Sequence, residues 1–196
     1  ASLEAGEVTT VSKINTIADG TAVQTPGDKL FPYLQANVDH VITVDDSELT
    51  LSFLDMAENH KMIVENSGLL TVAALKHLDF KGKKVVSVLS GGNMDVLTMA
   101  TVVQNGLMQR DRIFTVSVML PDKPGQLAAV SSLIAKEQGN VIKLEHNVFA
   151  NVNRTAGVEL TITLESFGTE HKDQIIKALE AAGYCPVITK TNGIYM

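Results

Sequence analysis

One cysteine, Cys185, is all the disulfide-forming capacity that the 196 residues contain. A lone thiol cannot close an internal bridge, so the fold must rest on its core, and a reducing, cytoplasmic setting is expected. No apolar run approaches the roughly 18 residues that a membrane-spanning helix needs. The opening ASLEAGEVTT carries neither a basic leader nor an apolar signal core. An initiator methionine is missing as well, which suggests a chain cut from something longer. Lys and Arg number 16 against 22 Asp and Glu, and they are not clustered. The phosphate neutralisation that nucleic acid demands is therefore absent. The histidines (His40, His60, His77, His146, His171) show no metal-ligand spacing and no helical i, i+4 pair. What remains is an ordinary soluble composition, 45% hydrophobic and 19% charged. A chain of this size supports one large domain or two modest ones.

Two halves follow different rules. Residues 38–109 alternate short apolar segments with helical patterns. VDHVITV (Val38 to Val44), MIVE (Met62 to Glu65) and KKVVSVLS (Lys83 to Ser90) read as buried strands. Asp45, with Glu48 completing a capping box, opens a helix whose face is Leu49, Phe53, Met56 and Ala57. SGLLTVAALKHL is apolar on nearly every side and is expected as a buried helix. Another helix is expected from Asn93 to about Gln109. This alternation predicts a parallel sheet with helices on both faces.

Residues 112–190 change period. Phe114, Val116, Val118 and Leu120 alternate with polar partners, and Leu127, Val130, Leu133 and Ile134 form a helical stripe. Val141 to Phe149 and Gly157 to Leu164 are two further strands, joined around NVNRTAG. In the second, Val158, Leu160, Ile162 and Leu164 face in; Glu159, Thr161, Thr163 and Glu165 face out. A helix burying Ile175, Ile176 and Leu179 and a last strand, Pro186 to Lys190, complete the order βαββαβ. That order predicts a four-stranded antiparallel sheet with two helices on one face. The join lies near Gly106 to Arg112, giving domains of 1–109 and 110–196.

Several short stretches carry chemistry. In Ser90-Gly91-Gly92-Asn93 the glycines let backbone approach a ligand, and the serine offers a hydroxyl to a ring heteroatom. The alternative is a tight turn in which Asn93 caps the next helix. Thr16-Ile17-Ala18-Asp19-Gly20 reads as a turn. Glu65-Asn66-Ser67-Gly68 either brings a carboxylate to the rim that holds Ser90 or simply starts a helix at Ser67. Pro124-Gly125 suits a type II turn, and free N–H groups at the following helix suit a carboxylate. Asp45, Asp46 and Glu48 read as helix capping, and Cys185 as a thiol buried in a strand.

TIADG, the E-x-S-G unit and VLSGGNMD together resemble the threonine and serine dehydratases, pyridoxal 5'-phosphate enzymes of fold type II (the tryptophan-synthase-β-like fold). The resemblance runs from about Gly6 to Gln109. It implies that Ser90 hydrogen-bonds the pyridine nitrogen, with Gly91 beside it, that Asp19 and Gly20 lie next to the ring, and that Glu65 is near it. The family usually carries proline or a similar residue after that glutamate, where this chain has Asn66. A neutral hydroxyl at the ring nitrogen, in place of an aspartate, tunes the cofactor toward β-elimination. The family's Schiff-base lysine and glycine-rich phosphate loop have no counterpart here, since Lys13, Lys29, Lys61, Lys76, Lys81, Lys83 and Lys84 read as solvated. No catalytic residue is therefore assigned, and the chain alone is expected to be inactive.

Residues 112–190 resemble an ACT domain, a small ferredoxin-like amino-acid-sensing module. That resemblance implies an effector site of Asp122, Gly125 and Gln126 facing Asn140, Val141 and Ile142 of a neighbouring subunit. The implied effector is isoleucine or valine, and the implied assembly is a homodimer or tetramer formed through this domain, with no nucleic-acid or membrane partner. The expected whole is the carboxyl-terminal part of a threonine ammonia-lyase. The alternatives are a serine dehydratase or racemase-like parent, and a non-catalytic amino-acid-binding regulatory module.

Overall fold

The computed structural model describes residues 1–147 and 157–191. Contacts divide the chain into two units, 1–103 and 104–196.

The first unit is built from short helices and extended segments. Helix α1 spans Ser2–Ala5, α2 Phe31–Asn37 and α3 Asp46–Asp55. The capping box at α3 forms as expected, with the Asp45 N–H donating to Glu48 Oε2 at 2.9 Å. That hydrogen bond holds the Glu48 carboxyl below its ordinary pKa. Leu49, Phe53 and Met56 are buried, and with Ala18, Val64, Leu69, Ala73 and Val102 they form the core of this unit.

SGLLTVAALKHL is not one helix. It breaks into a 3-10 turn at Asn66–Leu69, a single α turn, α4, at Leu70–Ala73, and a second 3-10 turn at Ala74–His77. Helix α5 runs over Val96–Gln109 and begins later than expected. Its cap is Asp95 rather than Asn93: the Thr98 N–H donates to Asp95 Oδ2 at 2.9 Å, and this bond lowers the Asp95 pKa.

The three segments expected as parallel strands require correction. Val38–Val44, Met62–Glu65 and Lys83–Ser90 run without regular structure, and no ladder joins them. Most of their apolar side chains remain in solvent, Val86 at 88% exposed, Val41 at 69% and Val88 at 67%, whereas Val64 is buried and Val44 and Leu89 pack against the core of this unit. A parallel strand is buried only when it has neighbours on both edges and helices on both faces. Within the described residues the link is a single backbone bond, Glu65 N–H to the Gly91 carbonyl at 3.3 Å.

The second unit follows the expected order. Strand β1 is Ile113–Leu120, α6 Gln126–Lys136, β2 Asn140–Asn147, β3 Val158–Glu165, α7 Thr169–Ala181 and β4 Val187–Thr189. The sheet is antiparallel throughout, in the order β2-β3-β1-β4. Phe114, Val116, Val118 and Leu120 of β1 meet Leu160, Ile162 and Leu164 of β3, and Val130, Ile134, Ile175 and Leu179 close the core from the helices. Each such side chain stabilises the fold by roughly 1.5–3 kcal/mol on burial. Thr163, expected in solvent, is 7% exposed because its hydroxyl pairs with that of Thr115 across the strands at 3.0 Å. Cys185 is exposed rather than buried, because the strand starts after it, at Val187, on the edge of the sheet. The expected extension of β2 to Phe149 and most of the NVNRTAG turn lie outside the described residues. Among the described residues, no helix is long and apolar enough to cross a membrane.

Asp111 holds the start of α7 within the second unit. Its carboxylate accepts from Lys172 and from the Thr169 hydroxyl, each at 2.8 Å. Burial alone would raise its pKa, but the Lys172 hydrogen bond and charge, with the Thr169 bond, bring the net direction below the ordinary 3.8. A carboxyl depressed in the folded state stabilises the fold above its unfolded pKa, and that contribution is lost as pH falls through the folded value. Asp111→Asn keeps a residue tolerant of the positive φ of 54° found there. It should lower the stability of the 104–196 unit by about 1 kcal/mol near neutral pH. The gap to wild type should close below pH 3.8. Urea midpoints measured across that pH range test this.

Candidate functional site

The three motifs of the first unit come together through glycine. Asp19–Thr21 form one 3-10 turn behind the buried Ala18, and the Asp19 carboxylate accepts the N–H of Gly20 at 2.9 Å. A Cβ placed on Gly20 would stand 2.7 Å from Ser67 Oγ and 3.8 Å from Glu65 Oε1. A Cβ on Gly91 would meet Glu65 Cδ and Oε1 at 2.1 Å, and one on Gly68 would lie 1.8 Å from the Ser90 carbonyl oxygen. TIADG, E-x-S-G and SGG, distant in sequence, therefore share one packed cluster. Gly91 also has φ +77°, a conformation that a side chain strains.

Ser90 and Asp19 are exposed, whereas Glu65 and Ser67 are half-buried. The Ser90 hydroxyl is thus not packed into the interior. Two polar atoms of the cluster, Ser67 Oγ and Asn66 Oδ1, are buried without a hydrogen-bond partner. Buried polar atoms without a partner in the chain are ordinarily met by water, an ion or a ligand. Ser67 does not cap the helix through its side chain as the turn reading required; the N-cap position is Glu65, without a side-chain bond. Asp46 is also more than helix capping. Its carboxylate takes the Thr16 hydroxyl at 2.6 Å and the Ile17 N–H at 3.1 Å. Neither this role nor that of Asn66, whose Nδ2 donates to the Ile17 carbonyl at 3.0 Å, was signalled by local spacing.

In the second unit, Lys123-Pro124-Gly125-Gln126 is the expected type II turn. Gly125 has φ 90° and ψ −15°, and the Gln126 N–H returns to the Lys123 carbonyl at 3.4 Å. Asp122 and Gly125 are exposed at this turn. Asn140, Val141 and Ile142 begin β2, an edge strand, with an irregular register between Val141 and Lys143. The Asn140 side-chain amide donates to Glu165 Oε2 at 3.1 Å. The register sets these two groups apart. Asn140 is level with Glu165 and Ile113, whereas the turn follows Leu120, at the far end of β1. Seven strand steps at ~3.4 Å separate the two ends by about 24 Å. One chain does not bring Asp122, Gly125 and Gln126 to Asn140, Val141 and Ile142.

Among the described residues, no group of three or more His, Cys, Asp or Glu is placed to hold a metal. Comparison with known proteins bears on the rest. Residues 1–91 match the family "Pyridoxal-phosphate dependent enzyme", and residues 114–183 match the ACT domain. This chain joins a pyridoxal-phosphate enzyme segment to an ACT domain. The L-threonine ammonia-lyase of Geobacter sulfurreducens is 36% identical over 96% of the chain and 48% of its own length. That of Thermotoga maritima is 34% identical over 94% of the chain and 46% of its length. The chain thus spans about half the length of the curated relatives it matches. Among solved structures, the processed form of threonine deaminase isoform 2 from Solanum lycopersicum covers 53% of this chain and 32% of its own, at 25% identity and a TM-score of 0.48.

The family implies pyridoxal phosphate, and the residues present fit it. Three glycines let the motif segments pack on one another, an exposed serine stands beside them, and buried polar atoms in the same cluster lack partners within the chain.

Proposed function

We propose that the chain is the carboxyl-terminal part of a pyridoxal-phosphate threonine ammonia-lyase, with residues 1–109 from the catalytic domain and 110–196 a regulatory ACT domain. The parent would convert threonine to 2-oxobutanoate and ammonia, and serine to pyruvate, in the cytoplasm. The observation that carries this reading is the meeting of Gly20 with Ser67, of Gly68 with the Ser90 carbonyl and of Glu65 with Gly91. It puts the three motifs of the dehydratase resemblance on one small surface.

When bound, pyridoxal phosphate supplies the electron sink that allows an amino acid to lose its α-proton and β-hydroxyl. The chain's own contribution is placement. Ser90 offers a neutral hydroxyl to the ring nitrogen, able to donate or accept. Gly20 and Gly91 make room for the Ser67 hydroxyl and the Glu65 carboxylate, which would hold the edge of the cofactor site. None of these groups is an anchoring lysine. The 196-residue chain alone should therefore show no turnover.

The full-length protein expressed from its own gene provides the test. A lysine in the S-F-K setting and a glycine-rich loop are expected upstream, with a visible cofactor band and 2-oxobutanoate formation from threonine. A gene with neither feature, and a protein with neither band nor product, would leave the non-catalytic regulatory module as the reading. Serine turned over in preference to threonine would favour a serine dehydratase parent.

For the ACT domain we infer that isoleucine or valine binds between two copies. The residues that the resemblance assigns stand about 24 Å apart in one chain, at ~3.4 Å per residue. Among the described residues, the β2 edge that carries Asn140, Val141 and Ile142 has no neighbour on its outer side. A second copy presenting its 122–126 turn there would complete a site, with N–H groups at the start of α6 for the ligand carboxylate.

A further inference from the structure

Both backbone polar groups of Ile17 are held by side chains from distant parts of the sequence. Its N–H donates to Asp46 Oδ2 at 3.1 Å, and its carbonyl accepts from Asn66 Nδ2 at 3.0 Å. Thr16 adds a second bond to the same carboxylate, its hydroxyl donating to Asp46 Oδ1 at 2.6 Å and accepting the Ala18 N–H at 3.1 Å. Asn66 is 4% exposed, so its bond forms away from water. The amide has one orientation that serves: Nδ2 meets the Ile17 carbonyl, while Oδ1 has no partner. These bonds fix the chain immediately before Asp19-Gly20, and Gly20 is the residue set against Ser67 and Glu65. Asp46 sits in the first turn of α3, where a carboxylate ordinarily serves its own helix. Here both of its oxygens are turned to the TIADG segment instead.

We propose that Asp46 and Asn66 are positioning residues. Together they lock the two polar groups of Ile17, so that Gly20 stays at the Glu65–Ser67 edge of the site. The proposal takes the occupant of that site from the pyridoxal-phosphate reading above. The clamp itself is independent of any occupant, because every bond in it is internal to the chain.

Hydrogen exchange on the 196-residue chain tests the clamp, and cofactor affinity of the full-length protein tests its purpose. In Asn66→Ala, amides from Ile17 to Thr21 should exchange roughly tenfold faster, while Leu49–Phe53 of α3 and all of β1 keep their protection. Asn66→Asp keeps the volume but lacks a donor when ionised. It should loosen the same amides at neutral pH, with protection returning in acid as the introduced carboxyl gains a proton. Thr16→Val removes a bond from the Asp46 side and should produce the same local pattern. It decides the matter if the Asn66 variants lose protection everywhere. In the full-length protein the dissociation constant for pyridoxal phosphate, followed by absorbance, should rise roughly five- to tenfold in each variant.

Uniform loss of protection in Thr16→Val as well would reduce the clamp to ordinary stability and overturn the proposal. Normal protection in Asn66→Asp at neutral pH would overturn it also, since packing and not the hydrogen bond would then matter. Local loosening with unchanged cofactor affinity would remove the positioning role. A wild-type full-length protein that takes up no pyridoxal phosphate, beside local loosening in the chain, would instead strike the cofactor reading and the positioning role with it.

Discussion

Replacing Gly68 with alanine should unfold or loosen residues 1–103 while leaving the 104–196 unit intact. The new Cβ would stand 1.8 Å from the Ser90 carbonyl oxygen, 2.9 Å from its carbon and 2.9 Å from Val64 Cγ1. Val64 can turn a methyl away; a backbone carbonyl has no such freedom. Either the turn at Asn66–Leu69 or the Ser90–Gly91 segment must move. Overpacking of this kind costs about 1–3 kcal/mol, with more where backbone shifts. In an open helical site the same change would be worth about 0.5–1 kcal/mol in the opposite direction. The sign of the effect is therefore diagnostic. Gly27→Ala is the control, since a Cβ there meets nothing within 4 Å and its φ is not positive. Denaturant unfolding followed by hydrogen exchange separates the two units. Wild-type protection around Ser90 in Gly68→Ala would mean that the three motifs do not meet as described.

The second large effect concerns ligand binding by the ACT domain. Gly125→Val should lower the affinity for isoleucine or valine by at least about tenfold, because a β-branched residue is a steric outlier at positive φ. Gly125 has φ +90°, and a Cβ there meets nothing within 4 Å, so crowding is not the cause. The cost comes from the backbone. To relieve it the turn must change, and the N–H groups at the start of α6 are re-aimed. Gly125→Ala should fall between valine and wild type. Calorimetric titration with both amino acids, on protein shown to be dimeric, gives the comparison. Flat titrations of wild type would remove the effector reading, and equal binding by Gly125→Val would move the site elsewhere.

The sequence was most readable where the pattern is local. Period-2 alternation in Phe114 to Leu120 and Val158 to Leu164 placed both central strands, because burial on one face is written residue by residue. The Asp45–Glu48 capping box and the Pro124-Gly125 turn are also short-range, and both are found. The three apolar segments of the first half were read as strands for the same reason, and that reading failed. Apolar content says that a segment wants cover, but pairing depends on neighbours that a local pattern does not name. The 66–77 stretch misled similarly: its helical composition did not show that Gly68 must approach the Ser90 carbonyl, a contact that accompanies 3-10 geometry. Asp46 and Asn66 were missed because their partners, Thr16 and Ile17, lie 29 to 49 residues away. The clustering of Gly20, Glu65 and Ser90, in contrast, was anticipated through family resemblance and not through spacing.

The separation of the Gly125 turn from Asn140 has a quantitative consequence for how such a sensor would read its metabolite. A ligand that must touch both ends recruits two chains, so its half-saturation point depends on protein abundance as well as on ligand supply. Diluting the protein should weaken apparent affinity, and a cell making more of it would respond at lower amino-acid levels.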